Sequence, residues 1–553
     1  MDKKRLAALL WILIVIAAVL VIRLFFLQVV GYSFYQNKAI EQRTRLIKKA
    51  ANRGDIMDRN GNILATSIDT YSIYINPRKF RDYEELSRLL KKEVKPESKK
   101  RAFAWIERKI SRELAEKIKA RSFEGLDFLV EKKRVYPKGH LASQVLGFVG
   151  LDNEGMSGVE LGYDEYLKGE EAEIYTESDI GGIELLSAHQ KEQKRGAPGM
   201  NLMLTIDENI QYFAESALER AIQKYGAKRG LVIVMEVESG EILALAGKPD
   251  FDPNKYSESP RDNWSSRAVQ VYEPGSTFKV ITLAAGLSEK AIDLDTKLKA
   301  LESIKVGDKT IKNAHAINFG GSTVSPSKML EESINTAAVQ IGLKVGKDRF
   351  YRKIRDFGFG ERVQAGLPGE SKGLLREPSK WYEPDLAMMT FGQSIGVTPL
   401  QLISAIGSIG NGGGRVQPVL VKKIESLSEN FVKTHYQKVL SRPLSKEVAE
   451  QVARCMENVV ISGTGKPSKI EGYRIAAKTG TAQKIAEGQK GYLKDKFVAS
   501  FIGFVPVKDP KIIILVIVDE PRGSIWGATV AGPAFREVAR QTLRYLGIKP
   551  DMI

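Results

Sequence analysis

Ser276 and Lys279, in the stretch Ser276-Thr277-Phe278-Lys279, are a hydroxyl and an amine at a spacing that allows nucleophilic chemistry. Positions i and i+3 share a helix face, so a neutral Lys279 amine can reach the Ser276 hydroxyl and take its proton. Two more stretches follow in chain order. Ser333-Ile334-Asn335 offers a relay hydroxyl and an amide able to grip a substrate backbone. Lys478-Thr479-Gly480, followed by Thr481, offers a strand whose side chains can hold a terminal carboxylate and whose N–H groups can face a developing oxyanion. The four histidines, His140, His189, His315 and His435, are scattered, in neither a metal-ligand spacing nor a Ser-His-Asp pattern. That absence supports lysine as the base, and together the three stretches point to acyl transfer through a serine.

A second Ser-x-x-Lys, Ser325-Pro326-Ser327-Lys328, tests that reading. Serine followed by proline at the first helical position is an N-cap signature, and this stretch is expected to be only that. Ser276 differs in its flanks. Glu273-Pro274-Gly275 delivers the chain to it, and the apolar run 280–285 behind it predicts a helix with an exposed start and a buried remainder. Taken singly, Asn335 also reads as a helix cap, and Thr479 and Thr481 as plain strand residues.

The elements that must position these groups follow from periodicity. Residues 230–237 and 241–246 flank Ser239-Gly240 and predict a hairpin; 497–505 and 512–518 flank Lys508-Asp509-Pro510 and predict another. The strand expected over 475–482 plausibly joins the same antiparallel sheet, with helices between the hairpins carrying Ser276 and the Ser333 turn. Strands, then helices, then strands imply an α+β domain with helices on both sheet faces. It begins near residue 200, after a turn-rich junction at 195–199, with Asp207 capping a helix that runs through Tyr225. Upstream, 63–76 reads as a strand, two amphipathic helices are expected between 83 and 120, and 128–135 reads as a strand, a small lobe at about 80–130. Residues 31–50 read as a charged, helix-compatible stalk. The Asn60-Gly61 dipeptide predicts a tight turn.

Residues 6–22 are apolar and uncharged, and the apolar character resumes after Arg23 through Val30, long enough for a hydrocarbon core of about 30 Å. The bulky 24–35 stretch offers no small-residue cleavage site, so a retained anchor is expected, with Arg23 snorkelling. Lys3, Lys4 and Arg5 favour a cytoplasmic N-terminus, while Arg43, Arg45, Lys48, Lys49 and Arg53 beyond the span argue the reverse; the bulk is placed outside on its chemistry. The single cysteine, Cys455, excludes an intramolecular disulfide and reads as a packed helix position. A net charge of +17 over 553 residues comes without an aromatic-interleaved basic module. Anionic headgroups and wall polymers are the expected electrostatic partners rather than nucleic acid.

Further stretches carry a resemblance. Arg53-Gly54-Asp55-Ile56-Met57-Asp58-Arg59-Asn60-Gly61 with Leu64-Ala65, then Arg134, Tyr136-Pro137 and Gly158-Val159-Glu160, precede the three stretches above. Gly392-Gln393 with Thr398-Pro399 and Gln401, and Gly463-Thr464-Gly465, complete the series. In this order, and over nearly the whole chain, the sequence resembles the class B penicillin-binding proteins, the monofunctional transpeptidases of bacterial cell-wall synthesis. Ser394 and Ala477 depart from the family, which commonly has glycine there, and put local backbone geometry in question.

The resemblance implies the penicillin-binding, serine-transpeptidase fold: a cytoplasmic tail (1–5), a transmembrane helix (6–30), an extracytoplasmic pedestal of the dimerisation type (31–199) and a transpeptidase domain (200–553). It implies that Ser276 attacks the penultimate D-alanine of a peptidoglycan stem peptide, with Lys279 as base, lowered by desolvation or by the charge of Lys478. Ser333 would pass the proton to the leaving D-alanine, and Asn335 would hold the substrate amide. Ser276 and Thr481 N–H groups would form the oxyanion hole, and Thr479 and Thr481, flanking Gly480, would bind the carboxylate. No cofactor or metal is implied. The implied partners are donor and acceptor stem peptides, β-lactams as covalent inhibitors, a polytopic SEDS-type glycan polymerase and the cytoplasmic membrane. Glu273, Asn335 and Thr479 resemble the septal, FtsI-like branch; an elongation transpeptidase and a catalytically silent scaffold are the alternatives, and the absence of an assignable carboxylate base for water argues against a β-lactamase.

Overall fold

The structure, a computed structural model, describes residues 2–49, 51–98, 100–101, 103–177, 191–194, 196–315, 322–426, 431–485 and 491–551. His189, and Arg195 at the start of the expected junction, lie outside them. The chain divides into two compact units, Met1–Asn52 with Gly169–Gly199, and Arg53–Lys168 with Met200–Ile553.

The first unit opens with helix α1 (Lys3–Phe25), which continues as a π-helical stretch, Phe26–Val30. This 28-residue span is long and apolar enough to cross a membrane. The stretch expected to be a stalk is helical only over Tyr32–Arg43. Residues Thr44–Lys49 instead form a strand, paired antiparallel with Ala172–Glu177, which pairs in turn with Lys191–Lys194. A partner strand more than a hundred residues away overrides the local helical tendency.

In the second unit, strands β1 (Ile63–Ile75), β2 (Ala104–Ile110) and β3 (Leu126–Val135) form an antiparallel lobe. The two expected amphipathic helices are Tyr83–Leu90 and Arg112–Lys119. They bury Leu86, Ala115 and Ile118 against Ile73, Ile75 and Phe80. Strand β2, between them, was hidden among charged residues in the sequence. Its pairing with β1 supplies what the pattern did not. The two-residue strand Ile56–Met57 runs parallel to Asn201–Leu204 and antiparallel to β1, joining the lobe and the larger domain in one sheet.

The larger domain is built on helix α2 (Glu208–Tyr225), capped by Asp207 as expected, and on the hairpin of β4 (Arg229–Glu236) and β5 (Ile242–Lys248). Helices α3 (Lys279–Ser288), α4 (Asn335–Val345), α5 (Pro399–Gly410) and α6 (Lys446–Ile461) fill the middle. Strands β6 (Ala476–Ile485), β7 (Tyr492–Val505) and β8 (Ile512–Asp519) and helix α7 (Gly532–Tyr545) close it. The sheet order is β5-β4-β8-β7-β6, antiparallel throughout, as the two hairpins predicted. Successive strand residues point to opposite faces. Leu231, Ile233 and Met235 of β4 therefore pack in one core with Phe278, Ile281 and Leu402. Val232 and Val234 pack in the other with Leu218 of α2 and Phe535 of α7. A sheet covered on both faces needs strands apolar at every position, which is why 231–235 and 512–518 are unbroken hydrophobic runs. Strand β6 is left at the sheet edge.

Candidate active site

Ser276 sits on a tight turn, Gly275–Phe278, that leads into α3. Gly275 has φ +57°, and its N–H donates to the carbonyl of Gly392 at 3.1 Å. Gly392 has φ +78°, and a Cβ there would lie 2.2 Å from the Gly275 carbonyl oxygen. The two glycines let two backbone turns touch, and so fix where the chain presents Ser276. One residue before, the apolar run of α3 starts with Lys279 already fully buried.

Lys279 Nζ lies 3.1 Å from Ser276 Oγ, 3.1 Å from Ser333 Oγ and 2.5 Å from the Ser333 carbonyl oxygen. Lys478 Nζ donates to Ser333 Oγ at 3.0 Å, to the Thr479 carbonyl at 3.0 Å and to Thr479 Oγ1 at 3.2 Å. Thr479 Oγ1 is also 3.1 Å from Thr464 Oγ1, which brings the Gly463-Thr464-Gly465 stretch to the site. Three segments expected to meet thus do meet, around one serine hydroxyl. Ser333 holds a left-handed backbone, φ +58°, rare for a residue with a side chain, and this turn aims its Oγ between the two lysines. Nothing in the local sequence signalled that conformation.

Electrostatics follow from burial. Both lysines are fully buried, and among the described residues no carboxylate pairs with either. Burial and the neighbouring Lys478 charge hold the Lys279 amine well below the ordinary lysine value, and burial alone pushes Lys478 down to about 7. Both causes favour a neutral Lys279 beside Ser276. A neutral amine has two N–H groups and one lone pair. With the N–H groups on the Ser333 carbonyl and Ser333 Oγ, the lone pair faces the Ser276 hydroxyl, the arrangement a general base needs.

The edge strand β6 passes beside this group, with Gly480 packed where a Cβ would lie 2.2 Å from Ser500 Oγ and 2.9 Å from Thr277. An edge strand presents unpaired backbone groups, a template on which an extended peptide can add as a further strand. Thr481 Oγ1 accepts from the Gly527 N–H at 3.3 Å. Asn335 opens α4, and its Nδ2 donates to the Lys312 carbonyl at 2.9 Å, which anchors the side chain near the site. The other Ser-x-x-Lys is the helix cap it was expected to be. Ser325 Oγ accepts from the Lys328 N–H, and the Lys328 ammonium pairs with Glu331 and Glu332.

The family scan matches residues 230–540 to the penicillin binding protein transpeptidase domain and 48–204 to the penicillin-binding protein dimerisation domain. This chain belongs to the class B penicillin-binding proteins. Among its relatives, Stage V sporulation protein D of Bacillus subtilis is 33% identical over 99% of this chain and 86% of that protein. PenA of Neisseria gonorrhoeae, named a probable peptidoglycan D,D-transpeptidase, is 32% identical over 99% of this chain and 94% of its own length. A crystal structure of a peptidoglycan synthetase from Bifidobacterium adolescentis matches with a TM-score of 0.75 at 26% identity, covering 92% of this chain and 98% of that one. The penicillin-binding-protein fold is thus shown. The two departures from the family's glycines resolve differently. Ser394 takes φ +58°, a glycine-like conformation held by a hydrogen bond from its N–H to Glu273 Oε1 at 2.9 Å. Ala477 has ordinary strand geometry and is buried in β6.

The dispersed pedestal stretches also converge. Glu160 is fully buried and accepts from Arg53 Nε and Arg134 Nε, both at 2.6 Å, and from the Tyr136 hydroxyl at 3.2 Å. Asp58 closes the expected turn by accepting from the Asn60 and Asn62 N–H groups at 2.8 Å. The resemblance grouped these residues as motifs; that they share one carboxylate was not visible in the sequence.

Proposed function

We propose that this class B penicillin-binding protein is a peptidoglycan D,D-transpeptidase that works through an acyl-serine at Ser276. The observation that carries the reading is Lys279, buried without a counter-ion among the described residues and 3.1 Å from Ser276 Oγ. Lys279 takes the hydroxyl proton as Oγ attacks the carbonyl of the penultimate D-alanine. The oxyanion is held by the N–H groups of Ser276 and Thr481, a device whose loss of one donor typically costs about 10²–10³ in rate. The C–N bond then breaks, and the proton passes from Lys279 through Ser333 to the leaving D-alanine amine, with charged Lys478 holding the Ser333 oxygen. The D-alanine carboxylate rests on Thr479 and Thr481, beside Gly480, while Asn335 holds the substrate amide. An amine of a neighbouring stem attacks the acyl-enzyme, loses its proton along the same relay, and releases Ser276 with a cross-link formed.

The same reading places residues 1–5 in the cytoplasm, 6–30 across the cytoplasmic membrane and the remainder outside, as pedestal to 199 and transpeptidase from 200. Septal wall synthesis beside a SEDS-type glycan polymerase is the cellular role that the FtsI-like residues Glu273, Asn335 and Thr479 support. β-Lactams acylate the same serine.

Intact-mass and peptide-map analysis after incubation with a labelled penicillin, for wild type and Ser276→Ala, tests the mechanism. A persistent adduct on Ser276, lost in the variant, supports it. A rapidly vanishing adduct points to a hydrolase, and no adduct at all, with the fold intact, returns the silent-scaffold reading.

A further inference from the structure

The C-terminal helix α7 covers one face of the central sheet with Phe535, Val538, Ala539 and Leu543, all buried. Its outer face carries Arg536, Arg540 and Arg544, all exposed. Residues four apart share a helix face and stand about 6 Å apart along the axis, so the three side chains form a row spanning about 12 Å. The turn Lys466–Ser468 packs against the same helix, and Lys466 and Lys469 there are exposed as well. That turn closely follows Thr464, whose hydroxyl is 3.1 Å from Thr479 Oγ1, so the basic surface begins beside the reacting cleft.

Among the described residues none of these five cations has an ion pair, and the acids around them are committed elsewhere or stand apart. Glu537, the one acid of α7, is taken by Arg220 of α2 at 2.7 Å. Glu457 of α6 and Asp551 near the end of the chain are both engaged by Arg474, at 2.7 Å each. Glu471, two residues past Lys469, pairs with none of the five. Like charges at i and i+4 repel, and the helix dipole favours a cation only in the last turn, where Arg544 sits. Arg536 and Arg540 gain nothing from it. A row held against that repulsion, and built of arginine alone, suits partner carboxylates that each accept two N–H groups from one guanidinium.

We propose that this row docks an un-cross-linked peptidoglycan strand through the carboxylates of its stem peptides, holding the strand beside the cleft while Ser276 reacts. The choice of partner rests on the transpeptidase reading above. Every stem that has not been cross-linked ends in a free carboxylate, so such a strand repeats negative charge along its length, and a line of cations is complementary to it. A lipid surface fits less well. A helix lying on a membrane must bury an apolar face there, and the apolar face of α7 is already packed in the core. Composition pointed to wall polymers as a counterpart of the +17 net charge; the arginine row locates that attraction on one helix.

The test is binding of fluorescently labelled, soluble, un-cross-linked peptidoglycan strands to the full-length, detergent-solubilised protein, with penicillin present to fill the cleft. Strands with free carboxylates are expected to bind about tenfold more tightly than strands whose carboxylates have been amidated, the scale of one charge-assisted hydrogen bond. Added salt should shrink that difference, because the row is exposed. Changing Arg536→Gln, Arg540→Gln and Arg544→Gln together should remove the preference and leave penicillin acylation unchanged. Equal binding of free and amidated strands to wild type, a comparison that needs no variant, overturns the surface, as does a triple variant that binds like wild type. If the triple variant loses phosphatidylglycerol vesicles but keeps the strands, the row belongs to lipid and the proposal falls. A Ser276 adduct without carboxylate-dependent binding sinks the surface alone. Binding that needs both carboxylates and arginines, with no adduct, sinks acyl transfer and leaves the surface standing.

Discussion

Lys279 Nζ and Lys478 Nζ reach the same atom, Ser333 Oγ, at 3.1 and 3.0 Å from opposite segments of the chain. Two ammonium groups so placed cannot both stay charged in a buried site. Burial and the charge of Lys478 both push the Lys279 amine, the one beside Ser276, well below its ordinary value and toward the neutral form. A base at Lys279 would therefore be made by its neighbour as well as by burial, an asymmetry that variants can expose.

Lys279→Arg is the sharpest test of that base. A guanidinium stays protonated at any accessible pH, so charge is kept while basicity is lost. Acylation of Ser276 by penicillin should fall about 10²–10⁴-fold, the usual contribution of a general base. A stopped-flow acylation rate within tenfold of wild type would remove Lys279 from that role.

Lys478 should reveal itself through pH. Its charge is one of the causes holding Lys279 low. In Lys478→Met the acid limb of the acylation profile should move to higher pH, because Lys279 loses a charged neighbour. Since the two lysines titrate as a pair, the limb reports the pair in wild type and Lys279 alone in the variant. An unmoved limb would mean that burial alone sets the base.

The same residue makes a stability prediction. Lys478 has a folded value of about 7 against an ordinary 10.5, so unfolding takes up a proton between those limits. Stability contributed by this site therefore rises with pH from about 7 to about 10.5 and is lowest at and below 7. Lys478→Met removes the burden, and the variant should be more stable at pH 7 by about 1–3 kcal/mol, within the range for replacing buried charge by an apolar group. Melting temperatures of both forms at pH 7 and 10 decide it: the difference should shrink at the higher pH.

How far the sequence carried this structure depends on the range of the interaction. The central sheet was legible because strands buried on both faces must be apolar throughout, and because turn residues at 239–240 and 508–510 mark the hairpins. Ser276 and Lys279 were legible because a helix face fixes their separation. The strand Thr44–Lys49 and strand β2 were not, since their partners lie elsewhere in the chain. The left-handed Ser333 was hidden too, because its φ is imposed by the meeting of two lysines and a helix start rather than by a local glycine. Glu273 was read as a marker of a branch; only the structure places its carboxylate against Ser394 and in a cavity wall.

Gly480 should tolerate nothing larger. A methyl group there would lie 2.2 Å from Ser500 Oγ, on the neighbouring strand β7, and 2.9 Å from Thr277 Cγ2, on the turn that carries the serine. Gly480→Ala must push β6 and the Ser276 turn apart, and a displacement near 1 Å at reacting groups can cost about 10²-fold. Acylation should fall far more than the melting temperature suggests. Parallel losses in both would make Gly480 a packing position only.

Glu160 offers the converse, a residue whose loss should unfold rather than inactivate. It is fully buried and holds two guanidinium groups, Arg53 and Arg134, at 2.6 Å each. Glu160→Gln keeps the shape but leaves that cluster with excess positive charge, relieved among the described residues by Asp164, which is 2.6 Å from Arg53. Removing one partner of a buried pair typically costs about 3–5 kcal/mol. The variant should melt well below wild type, while the protein that remains folded acylates at an undiminished rate. Arg53→Met combined with Glu160→Met should recover part of the loss, because the buried charges then leave together, although Arg134 still lacks its partner. If the double variant is as unstable as the sum of the two single changes, the cluster is not coupled through Glu160, and its three stretches of sequence meet for some other reason.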